Sequence, residues 1–277
     1  MCRWLAYCGS PIYLASLILE PENSLINQSR HALQSASVTN GDGFGVGWYG
    51  DRPEPGLYRD IQPAWNNENL RSISSQIRSR LFFAHVRAST GTSTSRANCH
   101  PFSHENWMFM HNGKIGGFEL MRRDLALLVT PELYPHIEGT TDSETLFYLL
   151  LTNGLRNDPV EAFGRTVTQV LGVMERAGVD DPFTMTGAVS DGKAVYALRY
   201  ASAGDAESLF YGCGARPQGT EGDAVAETES SILILSEPLD HVEEQWNMVP
   251  ESHVLIAGDG GVAIRPIELT APRSTAL

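Results

Sequence analysis

The order of the predicted secondary-structure elements constrains the fold of this chain more than any other feature. Runs rich in aromatic and β-branched residues predict early strands, helices dominate the middle of the chain, and the end returns to strands. The predicted strands lie at 2–8, 43–49, 81–87, 107–111, 183–189, 194–199, 209–212, 231–235, 253–257 and 262–266. Because strands and helices do not alternate, this order argues against a doubly wound βαβ fold and favours layered sheets with packed helices.

Two short signals mark the ends of predicted elements. Helices are predicted at 23–34, 67–78, 118–128, 141–151 and 160–177. Thr141 and Glu144 have the spacing of a capping box, which opens the fourth of these helices. Asn112-Gly113 is a strong turn signal, so the strand at 107–111 is predicted to end there.

The two glycine-rich segments of the chain are predicted to have different structural roles. The glycines at 41, 43, 45 and 47 alternate within a strand pattern with no helix after them, so they do not form a dinucleotide-binding fingerprint. We expect them to mark the close approach of a neighbouring backbone. The polar, Gly-rich segment 214–230 is predicted to be a mobile loop rather than a domain linker. The length of 277 residues suits one large domain or two small ones, and we expect a single domain over 1–277.

The charge and cysteine content exclude some partners and locations. The formal net charge is −13 and no run of Lys and Arg occurs, so neither nucleic acid nor an anionic membrane is an expected partner. Four cysteines form no CxxC pair and no small-domain disulfide pattern, which favours a reducing, cytoplasmic location. Gly9, Ser10 and Pro11 break the apolar N-terminal stretch, so we expect no signal peptide and no membrane span.

Cys2 combines two reactive groups once Met1 is removed. The residue then carries a free α-amine, which ordinarily titrates near pH 7.7–8.0, beside a thiol that titrates near pH 8.5. Such a pair can exchange a proton at neutral pH, and nucleophilic catalysis needs a base of this kind. Cys2 is therefore a candidate nucleophile, although a cysteine in second place can also have no function.

Three other segments carry candidate binding groups. Arg87 and Thr90, at the end of a predicted strand, suit a carboxylate, because a guanidinium matches it with two hydrogen bonds; the alternative is a surface arginine. The Asn112 amide and the Gly113 N–H are paired donors of the kind an oxyanion hole requires, although a plain hairpin turn explains them too. Asp142 is at a predicted helix start, where its carboxylate can interact favourably with the helix dipole or bind a substrate ammonium.

A zinc site is the main rival explanation for this part of the chain. Cys99, His100, His104 and His111 occur within a short span, and thiolate with imidazole suits zinc. Their spacing matches no standard ligand pattern, however. We therefore expect no metal site, and no phosphate loop or GxSxG elbow points to other cofactor or serine chemistry.

Read together, these residues resemble the class II glutamine amidotransferase family of N-terminal nucleophile hydrolases. The resemblance rests on the order of Cys2, Arg87 with Thr90, Asn112-Gly113 and Asp142, and on the segments NGDGFGVGWY, FFAHVRAST, NCHPF, FMHNGKI and TTDSE. The late sequence SEPL, with Trp246 and Pro250 after it, is similar to a stand-alone branch. That branch includes the γ-glutamyl amidohydrolase of ergothioneine synthesis and the amidase subunit of fungal glutathione breakdown.

The resemblance implies a fold and a role for each motif residue. The fold would be α+β, a four-layer αββα sandwich. Cys2 would be the nucleophile with its own α-amine as base, and Asn112 and Gly113 would stabilise the oxyanion. The remaining roles would be carboxylate binding by Arg87 and Thr90, ammonium binding by Asp142, and support of the pocket by Asn98 and His100, with no cofactor.

The resemblance leaves the amine side of the substrate open. The larger amidotransferases carry a synthase domain that consumes ammonia, and the 277 residues show none, so we expect a γ-glutamyl amide hydrolase. The alternatives are a glutaminase subunit that serves a separate synthetase or peptidase partner, a zinc-dependent hydrolase, and a non-catalytic binding module. Ala88 also departs from the family, which commonly places a large residue after its carboxylate-binding arginine.

Overall fold

A computed structural model describes residues 2–31, 39–89, 93–214, 231–259 and 261–269. Thr90 lies outside these ranges, as does nearly all of the loop predicted at 214–230. The end of the helix predicted at 23–34 also lies outside them.

The first sheet has seven strands, all paired antiparallel, in the spatial order β11-β9-β10-β1-β4-β2-β3. Its strands are β1 Arg3–Tyr13, β2 Phe44–Trp48, β3 Gly56–Asp60, β4 Arg78–Val86, β9 Phe210–Cys213, β10 Ile232–Leu235 and β11 Asn247–Met248. The central pair, β1 and β4, places Arg3 opposite Val86. The beginning of β1 therefore lies beside the end of β4.

The second sheet has six strands, also antiparallel, in the order β13-β12-β8-β7-β6-β5. Its strands are β5 Phe102–His104, β6 Trp107–Lys114, β7 Thr184–Ser190, β8 Val195–Ala201, β12 His253–Gly258 and β13 Gly261–Pro266. The helices are α1 Ala15–Ile18, α2 Leu25–Arg30, α3 Glu68–Ser74, α4 Phe118–Ala126, α5 Asp142–Thr152 and α6 Pro159–Ala177.

Three hydrophobic clusters show that the elements form four layers. The first joins α1, α2 and α3 to one face of the seven-stranded sheet, through residues such as Leu17, Leu25 and Phe82. The second joins α4, α5 and α6 to the outer face of the six-stranded sheet. The third, which includes Trp4 and Met110, lies between the sheets. The predicted αββα sandwich is confirmed, and none of the described helices is long and apolar enough to cross a membrane.

The turn predicted at Asn112-Gly113 is wrong. The strand β6 continues to Lys114, and Asn112 and Gly113 pair with Thr186 and Met185 of β7. The local turn preference is overridden because the neighbouring strand supplies main-chain pairing and because only glycine readily adopts the φ of +142° at Gly113.

Other differences concern the length and number of the elements. β1 runs through Gly9, Ser10 and Pro11 to Tyr13 instead of ending at Cys8. The helix expected at 67–78 is shorter, because β4 already begins at Arg78. The short strands β3, β5 and β11 and the helix α1 were not predicted, since each is too short to show a clear period.

The alternating glycines do mark a close approach. A side-chain Cβ at Gly45 would lie 2.1 Å from the main-chain oxygen of His100, and one at Gly47 would lie 2.5 Å from the sulfur of Met108. These distances are too short for any side chain, so the glycines let the seven-stranded sheet approach the segment around β5 and β6.

Candidate active site

A cavity of about 230 Å³ lies where the beginning of β1, the end of β4, the end of β6 and the start of α5 meet. It is lined by Cys2, Arg87, Ala88, Ser89, His100, His111, Asn112, Gly113, Lys114, Thr141, Asp142, Ser143, Thr184 and Glu207. All the predicted catalytic residues, and the predicted binding residues Arg87 and Asp142, therefore share one cavity.

Strand alternation explains why three of these side chains converge. Trp4 and Met110 point into the layer between the sheets, and side chains two residues apart on a strand share a face. Cys2 lies two residues before Trp4, and Asn112 lies two residues after Met110. Phe83 of β4 also points into this layer. Arg87 lies four residues after Phe83, so its side chain is on the same face. The cavity is thus the polar end of the inter-sheet layer.

A buried ion pair fixes the main chain of Cys2. Arg3 Nε lies 3.0 Å from Glu237 Oε2, and the two side chains are 1% and 2% exposed. Another guanidinium nitrogen of Arg3 donates a hydrogen bond to the carbonyl oxygen of Cys2 at 2.9 Å. The Asn23 side chain donates to the second Glu237 oxygen at 3.1 Å. These contacts hold the start of β1 in one position.

The Cys2 thiol has an environment that keeps it protonated. Its sulfur lies 3.6 Å from the carbonyl oxygen of Ala88. Burial raises the pKa of this thiol, Asp142 adds to the rise, and Arg87 and the chain's amino terminus act against it. A thiol with a raised pKa needs a base before it can attack.

Asn112 presents an unused donor to this cavity. Its side chain is 3% exposed, and its Nδ2 has no hydrogen-bond partner among the described residues. A buried donor without a partner costs about 1–3 kcal/mol, so its retention indicates a group that it binds during function. Thr186 Oγ1 donates to the main-chain oxygen of Asn112 at 3.2 Å, which fixes the residue.

Arg87 is held in place by the loop before β2. One guanidinium nitrogen donates to the main-chain oxygen of Asp42 at 3.3 Å, and another donates to Ser89 Oγ at 3.3 Å. The Asp42 carboxylate accepts from the N–H of Ser89 at 2.7 Å. The arginine is buried and lines the cavity, and a guanidinium in such a position suits a carboxylate.

Asp142 joins the start of α5 to the segment after β6. Its Oδ2 accepts from the N–H of Ile115 at 2.9 Å, and its Oδ1 accepts from the N–H of Ser143 at 2.8 Å. Both contacts are with neutral main-chain donors, so the carboxylate keeps its negative charge available to a cation in the cavity. The predicted capping box is confirmed in part, because Thr141 Oγ1 accepts from the N–H of Glu144 at 3.2 Å.

The two predicted supporting residues lie in different places. Asn98 does not line the cavity; its side chain accepts from the N–H of Thr140 at 2.9 Å and donates to Thr140 Oγ1 at 3.1 Å. It therefore holds the segment that leads into Asp142. His100 lines the cavity and stacks on His85 with ring centroids 4.2 Å apart.

His111 and Ser143 are site residues that sequence reasoning did not assign to the site. His111 Nε2 lies 3.4 Å from the carbonyl oxygen of Thr184, and His111 Nδ1 lies 2.9 Å from Ser143 Oγ. Ser143 Oγ also lies 3.4 Å from Asp142 Oδ1. The contact with His111 fixes Ser143, the residue next to Asp142. Lys114, Thr184 and Glu207 were missed as well. Lys114 lies in the segment FMHNGKI without an assigned role, and no local motif marks Thr184 or Glu207.

The zinc candidates do not form a metal site. Among the residues that the structure describes, no group of three His, Cys, Asp or Glu side chains could hold a metal ion. The buried Cys99 thiol donates to the carbonyl oxygen of Asp60 at 3.4 Å, whereas His104 packs against His136 with ring centroids 4.9 Å apart. His104 lines a second cavity of about 870 Å³, on the other side of the 138–144 segment from Cys2.

The chain is similar to several known proteins. The chain is 35% identical to the probable glutamine amidotransferase DUG3 of Saccharomyces cerevisiae, over 96% of this chain and 84% of the relative. It is 27% identical to a γ-glutamyl-hercynylcysteine sulfoxide hydrolase of Mycolicibacterium smegmatis, over 96% of this chain and 100% of the relative. A solved structure of a glutamine aminotransferase class-II domain protein from Silicibacter pomeroyi matches with a TM-score of 0.73 and 35% identity, covering 96% of this chain and 100% of that one.

A model of one protein family also matches most of this chain. The model described as class-II glutamine amidotransferases matches residues 24–210, a range that includes Arg87, Asn112, Gly113 and Asp142. Cys2 lies before this range, but within the cavity that these residues line. The chain belongs to the class II glutamine amidotransferase family.

Proposed function

We propose that this protein hydrolyses γ-glutamyl amides through a thioester on Cys2, after removal of Met1. The observation that carries the proposal is Asn112, which lines the cavity of the Cys2 thiol and whose buried Nδ2 has no partner among the described residues. A donor placed in this way suits the negative oxygen of a tetrahedral intermediate, where it contributes most. Family membership supports the choice of amide chemistry.

The α-amine of Cys2 takes the thiol proton in the first step. The thiolate then attacks the γ-carbonyl carbon, and Asn112 Nδ2 and the Gly113 N–H stabilise the oxyanion. When the intermediate collapses, the C–N bond breaks and the amine leaves with the proton from the α-ammonium. Water attacks the thioester with the same amine as base, which releases glutamate and the free thiol.

Arg87 and Asp142 recognise the glutamyl half of the substrate. The guanidinium pairs with the α-carboxylate, and the Asp142 carboxylate pairs with the α-ammonium. Because the Asp142 oxygens are already held by main-chain N–H groups, the carboxylate needs little ordering when substrate binds. Thr90 is proposed to assist Arg87 from the adjacent segment, and Asn98 and His100 to support the walls.

We favour a stand-alone hydrolase of a γ-glutamyl compound over a subunit that delivers ammonia to a partner enzyme. A relative that is aligned over its whole length is named a γ-glutamyl-hercynylcysteine sulfoxide hydrolase. The second candidate is a glutaminase subunit with a separate synthetase or peptidase partner, which the name of the yeast relative as an amidotransferase favours.

A panel of γ-glutamyl amines and peptides, assayed by glutamate release without any partner, tests the choice between these functions. The expected result is that one such compound exceeds glutamine in kcat/KM. Cleavage of glutamine alone, with a rate raised by a co-purifying synthetase, would replace the hydrolase by the subunit.

Intact mass before and after a γ-glutamyl diazo-ketone tests the nucleophile. We expect loss of Met1 and a single addition at Cys2. The buried thiol of Cys99 provides a matched control: Cys99→Ala should label fully, and Cys2→Ala should neither label nor hydrolyse. Labelling at Cys99 would contradict the mechanism.

A further inference from the structure

Glu207 is a carboxylate of the catalytic cavity that none of the roles above uses. It lies in the segment between β8 and β9 and lines the same cavity as Cys2. The residue is half-buried, and within the described ranges its side chain makes no hydrogen bond or ion pair. A carboxylate in this position is available to a cation in the cavity.

The main chain around Glu207 is held rigidly. Arg199 donates from Nε to the carbonyl oxygen of Glu207 and from a terminal nitrogen to that of Ala206, both at 2.9 Å. Ser208 Oγ donates to the carbonyl oxygen of Ser236 at 2.7 Å. The carboxylate is thus presented to the cavity by a segment fixed on both sides, which is a requirement for a positioning role.

Most cations near Glu207 already have partners. Arg3 pairs with Glu237, and Lys114 pairs with Asp181 at 2.8 Å. Arg199 donates to main-chain oxygens. The other charged or titratable groups of the cavity are Arg87 and Asp142, which bind the glutamyl group in the proposed function, and the buried His100 and His111.

The remaining cation is the α-ammonium that removal of Met1 creates on Cys2. Burial raises the pKa of Glu207, whereas Arg3, the positive charge at the start of the chain and Arg199 lower it. The geometric basis is the cavity itself, because Cys2 lies directly before β1 and lines the same cavity as Glu207. Removal of Met1 places the new amine at Cys2, within the cavity that both residues line.

We infer that Glu207 accepts a hydrogen bond from the α-ammonium of processed Cys2 and orients this amine towards the thiol. The inference rests on the proposed function, in which this amine is the base. When the S–H bond breaks and an N–H bond forms, the Glu207 carboxylate stabilises the ammonium that results. Glu207 is therefore a positioning residue, which does not itself touch the substrate.

The pKa of the α-amine tests this inference directly and without substrate. Cys2→Ala retains the amine and removes the thiol, so the pH dependence of acetylation of the N-terminal peptide reports the amine alone. Adding Glu207→Gln should lower the amine pKa by about 0.5–1 pH unit, because a nearby negative charge favours the protonated form. Glu207→Asp should retain most of the effect.

The matched control is Glu251→Gln in the same background. Glu251 is also half-buried, but it does not line the cavity, so the amine pKa should stay at the parent value. An amine pKa unchanged by Glu207→Gln overturns the inference, whatever the hydrolysis assays show.

The pH profile of hydrolysis provides the second readout. In the otherwise unchanged enzyme, Glu207→Gln should move the acidic limb of kcat/KM to lower pH by the same amount and reduce the plateau. Failure of the proposed function has a different result: no γ-glutamyl compound is cleaved by the parent enzyme, while the amine titration still responds to Glu207. A limb that does not move in an active Glu207→Gln enzyme counts against the inference.

Discussion

The guanidinium of Arg3 and the carboxylate of Glu237 form a buried ion pair next to Cys2, the proposed nucleophile. The pair ties the start of β1 to the segment after β10, and Arg3 also binds the carbonyl oxygen of Cys2. In the proposed function, removal of Met1 leaves Cys2 as the first residue, directly before β1. The ion pair would then restrain Cys2 in place of a preceding main chain.

Removal of one member of this pair should be costly. Glu237→Ala leaves the Arg3 charge buried, which costs about 3–5 kcal/mol in the free energy of unfolding. Urea denaturation followed by fluorescence measures the change. Arg80→Ala is the control, because the Arg80–Asp259 pair is exposed and its loss should change stability by at most about 1 kcal/mol. Equal effects of the two substitutions would contradict the assigned importance of burial.

Asn112→Ala and Asp142→Asn should affect different kinetic constants. Loss of the oxyanion donor should reduce kcat by about 10²–10³ with little change in KM. A neutral amide at Asp142 pairs poorly with an ammonium, which costs about 1.5–3 kcal/mol and lowers kcat/KM by roughly tenfold to a hundredfold. Steady-state glutamate release separates the two patterns, and identical patterns would show that the division of roles is wrong.

Gly113→Ala should inactivate the enzyme through its backbone. The added Cβ would lie 2.1 Å from the carbonyl oxygen of Thr184, and the φ of +142° is unfavourable for alanine. The end of β6 must therefore shift, together with the adjacent Asn112. Gly50→Ala is the control, since no atom lies within 4 Å of a Cβ there. Thermal unfolding and kcat, measured on both variants, should change only for Gly113.

Stability should fall as the pH is lowered below about 6.5. Burial lowers the pKa of His85 to about 3 and lowers those of His100 and His111. Below the unfolded pKa near 6.5, the unfolded chain binds protons that these folded imidazoles do not, so unfolding becomes more favourable. For His85 alone the loss is about 2 kcal/mol at about pH 5.

The measurement is the free energy of unfolding in urea from about pH 7.5 down to about pH 5. His85→Gln should reduce the slope of the free energy of unfolding against pH by up to the equivalent of one bound proton. Burial raises the pKa of the Glu144 carboxyl, which acts with the opposite sign above about pH 4.5 and reduces the net slope. A stability that is constant below about pH 6.5 in the parent would show that the three imidazoles gain protons in the folded state.

The sequence predicted the layers, and the candidate residues that it selected line one cavity, because both depend on local patterns. The motif residues Cys2, Arg87 and Asn112 each follow the alternation of a strand that is visible in the printed sequence. The turn at Asn112-Gly113 was mispredicted because β7, about seventy residues later, supplies its pairing. Glu207 was missed because its position is set by Arg199 and Ser236, and no short segment contains those contacts.

The cavity is lined by Cys2, the proposed nucleophile, beside one sheet and by Asn112, the proposed oxyanion donor, on the other. The distance between Cys2 and Asn112 is therefore set by the side chains that separate the sheets, with Trp4 and Met110 nearest along each strand. Interiors this tightly packed transmit small volume changes, and a displacement of about 1 Å can cost about a hundredfold in rate. Apolar substitutions that do not touch the substrate can therefore change the turnover rate, because they change the thickness of the layer between the two sheets.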